Sequence, residues 1–379
     1  MCGQQKICTR CVMDTSAPDI RFDAKGICQY CHIHDRLIHQ YEQNGDSVKK
    51  FEEIVKNIIH EGKNNEYNCI VGVSGGRDST YTLYKAVQCG LRPLAVHFDN
   101  GWNSDIAVSN IKNATEKLDV DLYTHVADWE EFKDLQISFL KASIPDAEIP
   151  TDYVITSVLL QKASEYNIKN ILVGCSFKTE GIVPLSWTYM DGRYIKSIHK
   201  KFGKKRITSF PIMGIIDLIY YSIIKRIKFI HLPAYVDYCQ NDVDSVLTKE
   251  LGWKYYGGHH HESVFTEFFQ SYYLPLKFNI DKRKLEYSAL VRIGDVTRED
   301  ALKALEEPYP NNKNIVEYTI NKLGLTDDEF KEIMGSPRKS FKDYPSYYPI
   351  IRACKVPIKL ACKINIFPYI FYEKYLGGK

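Results

Sequence analysis

The sequence predicts an α/β fold built on a doubly wound parallel sheet, and three observations lead to that expectation. Short apolar runs alternate with segments of helical spacing between residues 66 and 262. The first of these runs ends in a glycine-rich turn, and the chain before it contains two Cys-x-x-Cys pairs. We therefore expect four regions: a metal-binding ribbon over 1–45, a connecting helix over 46–65, the α/β domain over 66–262 and a mostly helical region over 263–379.

The composition is that of a folded protein, with 44% hydrophobic and 26% charged residues among 379. A net charge of +3 is low for a nucleic-acid-binding chain, so nucleic acid is a disfavoured partner. The first residues contain no apolar run, which predicts no signal peptide and a cytoplasmic location. The most apolar segment, Ile215 to Ile230, is too short and too charged to cross a bilayer. We interpret it as a buried helix, and a helix resting on a membrane surface is the less favoured alternative.

The N-terminal ribbon is predicted from cysteine spacing. Cys8 and Cys11 form one pair, Cys28 and Cys31 form the other, and sixteen residues separate the pairs. Two such pairs can supply four thiolates to one tetrahedral zinc ion, which would fold a segment too small for its own core. Four thiolates leave no open position, so this zinc would be structural. Four unrelated thiols are the alternative.

A strand and a glycine turn follow the connecting helix and form the centre of the prediction. Ile70 to Val73 leads into the sequence SGGRDS. Glycines allow close approach to an anion, and the turn and helix N-terminus supply N–H donors, so this stretch is typical of a phosphate-binding loop. Asp78 would repel phosphate unless a magnesium ion lay between them. The alternative is an ordinary turn with a helix cap. The predicted loop residues are Ser74, Gly75, Gly76, Arg77, Asp78 and Ser79.

The remaining elements of the α/β domain alternate in order. Parallel strands joined by helices place ligands at the carboxyl ends of the strands. The predicted helices are Ser47 to Gly62, Thr80 to Gly90, Ser104 to Leu118, Trp129 to Ala142 and Asp152 to Tyr166, and the further strands are Pro93 to Phe98, Leu122 to Val126 and Ile171 to Gly174.

The second strand ends in a polar cluster. Phe98 and Asp99 are predicted to contact the nucleoside of a bound nucleotide, and Asn100, Trp102 and Asn103 are candidate substrate contacts. An Asn-Gly turn with no binding role is the alternative.

The fourth strand ends in the sequence GCSFKTEG, where Gly174 would allow a nucleotide to approach. Glu180 would face the phosphate loop and hold magnesium together with Asp78. Lys178 would steady a leaving pyrophosphate. Exposed loop charges are the alternative for both side chains.

A mixed aromatic and charged set follows. Such a set suits a phosphorylated sugar, although a basic run is more often a solvated surface. The candidate substrate contacts are Trp187, Asp191, His199, Lys200 and Lys201. The run from Gly257 to Glu262 contains three consecutive histidines, but alternating side-chain directions disfavour a three-ligand metal site there.

SGGRDS after a strand resembles the PP-loop of the ATP pyrophosphatase superfamily, whose members cut ATP to AMP and pyrophosphate. Together with the cysteine ribbon, DNGWNS, GCSFKTEG, the run from His199 to Gly203 and the DKR segment at residue 281, it resembles the N-acetyl sugar amidotransferase family of bacterial surface-polysaccharide and flagellin-sugar pathways. The resemblance covers nearly the whole chain and becomes weaker after about residue 310.

The resemblance implies an activity and partners. An enzyme of this kind converts the acetamido group of a nucleotide-linked sugar to an acetamidino group, using ATP, Mg²⁺ and ammonia. Adenylation makes the amide oxygen a leaving group. Met1-Cys2 could signal an N-terminal glutaminase, but about 65 residues before the first strand are too few for that fold. Ammonia would therefore come from a separate glutaminase with an ammonia-channelling, synthase-like subunit.

Two other functions compete with this one. A tRNA-thiolating PP-loop enzyme would need reactive cysteines near the nucleotide, and Cys175 is the candidate, although we interpret it as a buried core thiol. The second alternative is a non-catalytic zinc-ribbon adaptor that senses ATP.

Overall fold

The computed structural model describes residues 6–41, 47–236, 238–258, 260–309, 313–363 and 369–377. Before the sheet lie α1 (Gln29–Tyr41) and α2 (Ser47–Glu61). The sheet region contains β1 (Cys69–Gly72), α3 (Arg77–Gln88), β2 (Pro93–Asp99), α4 (Asp105–Leu118), β3 (Leu122–Val126), α5 (Trp129–Lys141), α6 (Ile149–Glu165), β4 (Asn170–Val173), α7 (Gly192–Phe202), α8 (Ile215–Ile219), β5 (Lys228–His231) and α9 (Gln240–Leu251). The C-terminal region contains α10 (Val264–Phe268), α11 (Arg283–Ile293), α12 (Arg298–Glu306), α13 (Lys313–Leu323), α14 (Asp327–Gly335), α15 (Tyr348–Ala353), α16 (Lys355–Lys363) and α17 (Tyr369–Leu376).

The strands of the described chain form one parallel sheet in the order β3-β2-β1-β4-β5. The predicted parallel α/β fold is confirmed, together with the helical C-terminal region. The four predicted strands lie within a residue of their expected bounds. The fifth strand, β5, was missed because its sequence lies inside the apolar segment that we interpreted as a helix.

Helices cover both faces of the sheet, as the doubly wound fold requires. Leu94 and Val96 on β2 pack with α5 and α6 in one core. Ala95, between them, points to the opposite face and packs with α3, α4 and α9 in a second core. Successive residues of β2 therefore enter different cores, which explains why its run Leu94 to Val96 is apolar instead of alternating, whereas the edge strand β3 is partly exposed.

The chain changes direction between β1 and β4. From β1 it runs outward through β2 to β3, then returns to place β4 on the other side of β1. In open α/β sheets such a switch point creates a crevice outside the carboxyl ends of the two strands. The loops after β1 and β4 both lie there, and they are the loops that contain SGGRDS and GCSFKTEG.

The apolar segment from Ile215 to Ile230 is not the buried helix that the sequence predicts. It consists of the short helix α8, a π-helical turn over Tyr220–Ile224 and strand β5. Its isoleucines from Ile215 to Ile224 are exposed, Ile216 and Ile224 most of all, whereas Ile227 is buried. Part of the segment is helical, but it carries an apolar stripe on the solvent side.

The N-terminal ribbon packs against the C-terminal helices. The Arg298 guanidinium donates to the carbonyl oxygens of Cys8 and Cys11, at 3.2 Å each from Nε. Lys284 on α11 forms a 2.6 Å ion pair with the buried Asp14 of the ribbon. These contacts join the two ends of the chain, and the domain boundaries given above remain a prediction. Among the described residues, no helix is both long enough and apolar enough to span a membrane.

Candidate active site at the switch point

The phosphate loop is a tight turn held by its own serines. Ser79 Oγ accepts from the backbone N–H of Ser74 at 3.1 Å and lies 3.1 Å from Ser74 Oγ. Gly75 has a φ of +78°, and a Cβ there would lie 2.3 Å from the carbonyl oxygen of Ala107. Only glycine fits this position, because both the backbone angle and the approach of α4 exclude a side chain.

The loop after β4 touches the loop after β1, as the switch point requires. A Cβ on Gly174 would lie 2.5 Å from the backbone carbon of Asp78 and 2.6 Å from the Ser79 nitrogen. Gly174 therefore acts by allowing two backbones to meet, which places Asp78 against the end of β4. The hydroxyl of Tyr238 donates a hydrogen bond to the Asp78 carboxylate and fixes its direction.

Replacing Gly174 with alanine should force these two loops apart. We expect a loss of about 1–3 kcal/mol in the free energy of unfolding, because the methyl group meets backbone atoms that cannot rotate away. Gly335→Ala is the matched control, since a Cβ at Gly335, in α14, would have no neighbour within 4 Å. Denaturant unfolding of both variants measures the difference. Equal stability of Gly174→Ala and the unmodified protein would contradict this packing.

Glu180 lies near Asp78 in the same crevice, as the sequence predicted. Burial raises the pKa of Glu180 to about 7, the His260 cation opposes the rise, and the carboxylates of Asp78 and Glu262 add to it. Asp152, at the N-terminal end of α6, is exposed at its surface, yet the surrounding protein and the carboxylates of Asp146 and Glu148 raise its pKa to about 7. Acidic side chains therefore crowd this crevice, as they do where a protein holds a cation.

Glu262 and His260 belong to the site although the sequence analysis assigned them no role. Glu262 Oε1 lies 3.4 Å from Ser74 Oγ, and a Cβ on Gly76 would lie 2.9 Å from it. Burial disfavours the charged form of His260, yet the nearby carboxylates of Glu262, Glu180 and Glu148 raise its pKa to about 10. The sequence feature that could have indicated these two residues is the run of histidines before Glu262. His259, in the same run, lies outside the described residues.

The donor set at this crevice fits a magnesium ion. Magnesium prefers oxygen ligands, and the carboxylates of Asp78 and Glu262 are close enough to Glu180 to raise its pKa. Glu262 Oε2 is buried and has no hydrogen-bond partner among the described residues. A buried carboxylate oxygen without a partner is costly, and a bound cation would remove that cost.

Replacing Glu180 with glutamine should stabilise the protein at high pH. The raised pKa means that the folded state holds a proton that the unfolded state releases above pH 4.5, so stability falls as pH rises from 4.5 through about 7. Without added magnesium, we expect Glu180→Gln to be more stable than the unmodified protein at pH 8 by about 1–3 kcal/mol, reduced by solvent in the open crevice. The difference should disappear below pH 4.5. Urea unfolding at both pH values measures it, and a constant difference would contradict the assigned shift.

The Arg77 guanidinium has partners within the protein, so it is not free to bind phosphate in this structure. Its Nε and Nη2 donate to both oxygens of Asp244 on α9, at 2.5 and 2.9 Å. Its guanidinium also lies 5.7 Å from the centre of the Tyr255 ring. The backbone N–H of Arg77 points to the hydroxyl of Tyr256 at 3.3 Å. A role for Arg77 on phosphate remains a prediction, and it would require the ion pair with Asp244 to be shared.

The residues after β2 form a compact turn beside the site. Asp99 Oδ1 accepts from the Gly101 N–H at 2.8 Å and from the Asn103 amide at 3.0 Å. Asn100 is buried and donates to Thr151 at 3.3 Å. These contacts order the turn. The prediction that this turn contacts a nucleoside or a substrate stays untested.

Phe98 and Trp102, from the same predicted set, have their rings in the core. Phe98 packs edge-to-face on Phe132, with ring centres 6.2 Å apart. Trp102 is fully buried, and its indole N–H donates to Gln136 at 2.6 Å. The prediction of Trp102 as a substrate contact is therefore wrong for this conformation, because no face of its ring is open.

The structure corrects one member of the sugar platform that was predicted downstream. Trp187 is buried in the core and cannot stack on a ligand. Asp191 caps α7 by accepting from the Tyr194 N–H at 2.6 Å, and it accepts from the Tyr347 N–H at 2.7 Å. His199 pairs with Asp134 at 2.9 Å. Asp191 and His199 therefore have structural partners, and their predicted contact with substrate remains untested.

Lys200 and Lys201 are exposed, as a solvated surface predicts. Lys201 lies over the rings of Phe202 and Tyr344. Their predicted contact with substrate remains untested.

Cys175 is exposed in the crevice, so its interpretation as a buried core thiol is wrong. Its Sγ lies 3.5 Å from His231 Nδ1. The surrounding protein and the carboxylates of Glu180 and Asp78 raise the pKa of the thiol. A thiol with a raised pKa is a poor nucleophile near neutral pH, because the thiolate is the reactive form.

A cavity of about 500 Å³ adjoins the crevice. Tyr238, the partner of Asp78, lines it, and Lys178 lies on its wall. The opposite wall is formed by Arg10 of the ribbon and Arg292 of α11. Its size is within the range of small-molecule sites. Lys178 therefore lines a space that can hold a second substrate, and its action on pyrophosphate remains a prediction.

The four ribbon cysteines meet at one buried point. The Sγ atoms of Cys8 and Cys31 are 3.9 Å apart, and Cys28 Sγ is 3.7 Å from those of Cys11 and Cys31. Four thiolates around one ion at about 2.3 Å stand about 3.8 Å from each other, so the spacing fits a single tetrahedral metal. Arg292 donates to the sulfurs of Cys31 and Cys11 at 3.4 and 3.3 Å, which would balance their negative charge.

Comparisons with known proteins give partial matches. Residues 262–356 match the family model described as LPS biosynthesis protein WbpG-like, C-terminal domain. An uncharacterised protein of Methanocaldococcus jannaschii is 34% identical over 118 residues, which is 30% of this chain. The matched part spans 40% of that relative's length. The C-terminal region is therefore similar to a domain of lipopolysaccharide biosynthesis proteins.

Two solved structures resemble the chain weakly. NMN synthetase from Francisella tularensis has a TM-score of 0.27 and 15% identity, covering 56% of this chain and 94% of its own. The U34-tRNA thiolase NcsA from Methanococcus maripaludis, which carries a [4Fe-4S] cluster, has a TM-score of 0.32 and 14% identity, covering 85% and 99%. TM-scores this low support no argument about activity.

Proposed function

We propose that this chain is an ATP-dependent amidotransferase that converts the acetamido group of a nucleotide-linked sugar to an acetamidino group. The observation that carries the proposal is that Glu180 and Glu262 meet the SGGRDS loop, which contains Asp78, at the switch point. A phosphate loop beside a carboxylate cluster suits a reaction that breaks a phosphoanhydride bond with magnesium. The match of residues 262–356 to the WbpG-like domain supports a role in surface-sugar chemistry.

The proposed reaction has two steps. The amide oxygen of the sugar attacks the α-phosphorus of ATP, the bond from that phosphorus to the bridging oxygen breaks, and pyrophosphate leaves. Ammonia then attacks the amide carbon, the carbon–oxygen bond breaks, and AMP leaves with the former amide oxygen. Loss of a proton from nitrogen gives the amidine. The first step is necessary because an amide oxygen by itself is a poor leaving group.

The chain supplies binding, orientation and proton transfer. N–H groups of the loop from Ser74 to Ser79 would bind the departing pyrophosphate. Magnesium held by Asp78, Glu180 and Glu262 would neutralise its charge. Asp152, with its pKa near 7, is suited to accept the proton from nitrogen. The cavity beside Lys178 is the proposed place of the sugar, and zinc in the ribbon would keep its far wall in place.

The deciding experiment supplies ATP, magnesium, ammonium and a panel of nucleotide-linked N-acetyl sugars. We expect AMP and pyrophosphate to form only with the correct sugar. The product should be lighter than that sugar by the difference between an oxygen atom and an NH group. Sugar-independent AMP formation, or formation that requires tRNA, would count against the proposal. The ammonia in the cell would come from a partner glutaminase and its channelling subunit, which co-purification tests.

Thiolation of tRNA is the second candidate, and the exposure of Cys175 in the crevice is the observation in its favour. A Cys175→Ser variant separates the two functions. The amidotransferase reaction uses no protein nucleophile, so AMP formation with sugar and ammonia should stay within about twofold of the unmodified protein. A thiolation enzyme that uses this cysteine would lose its sulfur transfer.

A further inference from the structure

The segment before β5 exposes an unusual apolar stripe. Ile216 is 78% exposed and Ile224 is 68% exposed, and Ile219, Tyr220 and Ile223 lie between them on the same side. These five positions follow the spacing i, i+3, i+4, i+7, i+8, which is one face of a helix. The opposite face, with Leu218 and Tyr221, packs on the protein. The segment is thus apolar on both faces, and one of them is turned to solvent.

Cations flank this stripe on its C-terminal side. Lys225, Arg226 and Lys228 follow within four residues of Ile224. The one acidic residue in the segment, Asp217, accepts from the Gly214 N–H at 2.7 Å and so caps the helix start. The solvent-facing stripe itself is therefore uncharged, with positive charge at its C-terminal end and the exposed Asp217 beside it.

A cationic pocket adjoins the stripe on its N-terminal side. It has a volume of about 530 Å³, and its described lining residues include no acid. Ile212 lies in its wall, three residues before Ile215, so the pocket is no more than about 11 Å of chain from the stripe. Among its cations, Lys205 pairs with Glu130. The pocket is lined by Lys196, His199, Lys200, Gly203, Lys205, Arg206, Ile207, Phe210 and Ile212.

Lys196, Lys200 and Arg206 form no ion pair with another described residue. All three side chains are exposed. A pocket that concentrates unpaired cations attracts phosphate groups.

We propose that the stripe from Ile215 to Ile224 and the adjoining cationic pocket form a docking surface for an anionic phospholipid bilayer. Aliphatic side chains insert at the boundary of headgroups and acyl chains, while the cations on either side contact lipid phosphates. The positive charge of the surface favours an anionic bilayer over a neutral one. The area also disfavours a protein partner: the stripe is about 15 Å long and one helix wide, far below the roughly 800 Å² that a stable interface needs on each side.

The test is flotation of the full chain with vesicles. We expect binding to vesicles of phosphatidylglycerol and phosphatidylcholine to exceed binding to pure phosphatidylcholine by at least about tenfold, and to weaken as salt rises. The variant Ile216→Asp with Ile224→Asp should lose this binding, and so should Lys196→Glu with Arg206→Glu. Val48→Asp is the matched control, because Val48 on α2 is 57% exposed but lies outside the stripe.

Three results would overturn the proposal. They are equal binding to both vesicle types, unchanged binding by either double variant, and loss of binding by Val48→Asp. Size-exclusion chromatography covers self-association: if Ile216→Asp with Ile224→Asp converts a dimer to a monomer and the unmodified chain does not bind vesicles, the stripe is an interface between copies. Circular dichroism of each variant confirms that it is folded. None of these measurements depends on turnover, so they test the surface independently of the proposed reaction.

Discussion

Replacing Asp78 with asparagine should reduce pyrophosphate release by about 1000-fold or more. Asp78 lies at the first turn of α3, between the phosphate loop and the end of β4, and it is the proposed magnesium ligand nearest the loop. Magnesium contributes several kcal/mol of charge stabilisation to such a reaction, and each 1.36 kcal/mol corresponds to a factor of ten. An amide in place of the carboxylate would lose most of that contribution.

The same substitution should leave the fold intact. Asparagine has the shape of aspartate, and its carbonyl oxygen can still accept the hydrogen bond from Tyr238. Burial raises the pKa of Asp78, which means that its charge is a cost to the folded state, and the Tyr238 hydrogen bond offsets part of that cost. We therefore expect the unfolding midpoint of Asp78→Asn to be unchanged or slightly higher.

Release of pyrophosphate in the presence of sugar and ammonium is the measurement. Asp327→Asn is the control, because Asp327 is an exposed carboxylate in the first turn of α14 and tests the loss of helix-dipole charge alone. If Asp78→Asn kept turnover within about tenfold of the unmodified protein while folded, Asp78 would not be the ligand that the reaction needs.

Local sequence patterns predicted those features of the structure that are determined by residues close together in the sequence. The alternation of strands and helices, the glycine turn and the cysteine pairs each have a period or spacing that physics ties to one geometry. The positions of β1 and β4 followed from apolar runs, and the meeting of their loops followed from the topology of a parallel sheet. Glu180 and Asp78 are the clearest case, since they were expected in one crevice and the Asp78 carboxylate is close enough to raise the pKa of Glu180.

Several failures concern burial, which sequence spacing does not determine. Trp187 was expected to be a binding platform but lies in the core. Cys175 was expected in the core but faces the crevice. The stripe around Ile216 is exposed, although its segment was expected to be a buried helix. Glu262 reaches the phosphate loop from 188 residues away, and a single sequence contains no signal for such a contact beyond an unusual local composition.

Replacing Cys28 with serine should unfold the ribbon and weaken the whole chain. All four cysteines are fully buried, so a metal held by them would stabilise the ribbon together with the packing of Met13, Tyr30 and Leu37 in the same core. Serine is a poor ligand for zinc, and three thiolates would remain buried next to Arg292 without the ion. We expect loss of the bound metal and a decrease of several kcal/mol in the free energy of unfolding.

The consequences should reach the crevice because the ribbon is not an isolated unit. Arg298 binds the ribbon backbone, Lys284 binds Asp14, and the cavity beside Lys178 has Arg10 as a wall. Unfolding of the ribbon would open that wall. Sugar binding should therefore weaken more than ATP binding, since the phosphate loop belongs to the sheet and keeps its own contacts.

Metal content by elemental analysis, thermal unfolding and separate titrations with ATP and the sugar measure these effects. Cys354→Ser is the matched control, because Cys354 is an exposed thiol outside the cluster. It should keep one metal ion per chain and the original unfolding midpoint. A Cys28→Ser protein that kept both would show that the four sulfurs meet for some reason other than a metal. If ATP and sugar affinity fell equally, the ribbon would support the sheet as a whole and not the cavity wall in particular.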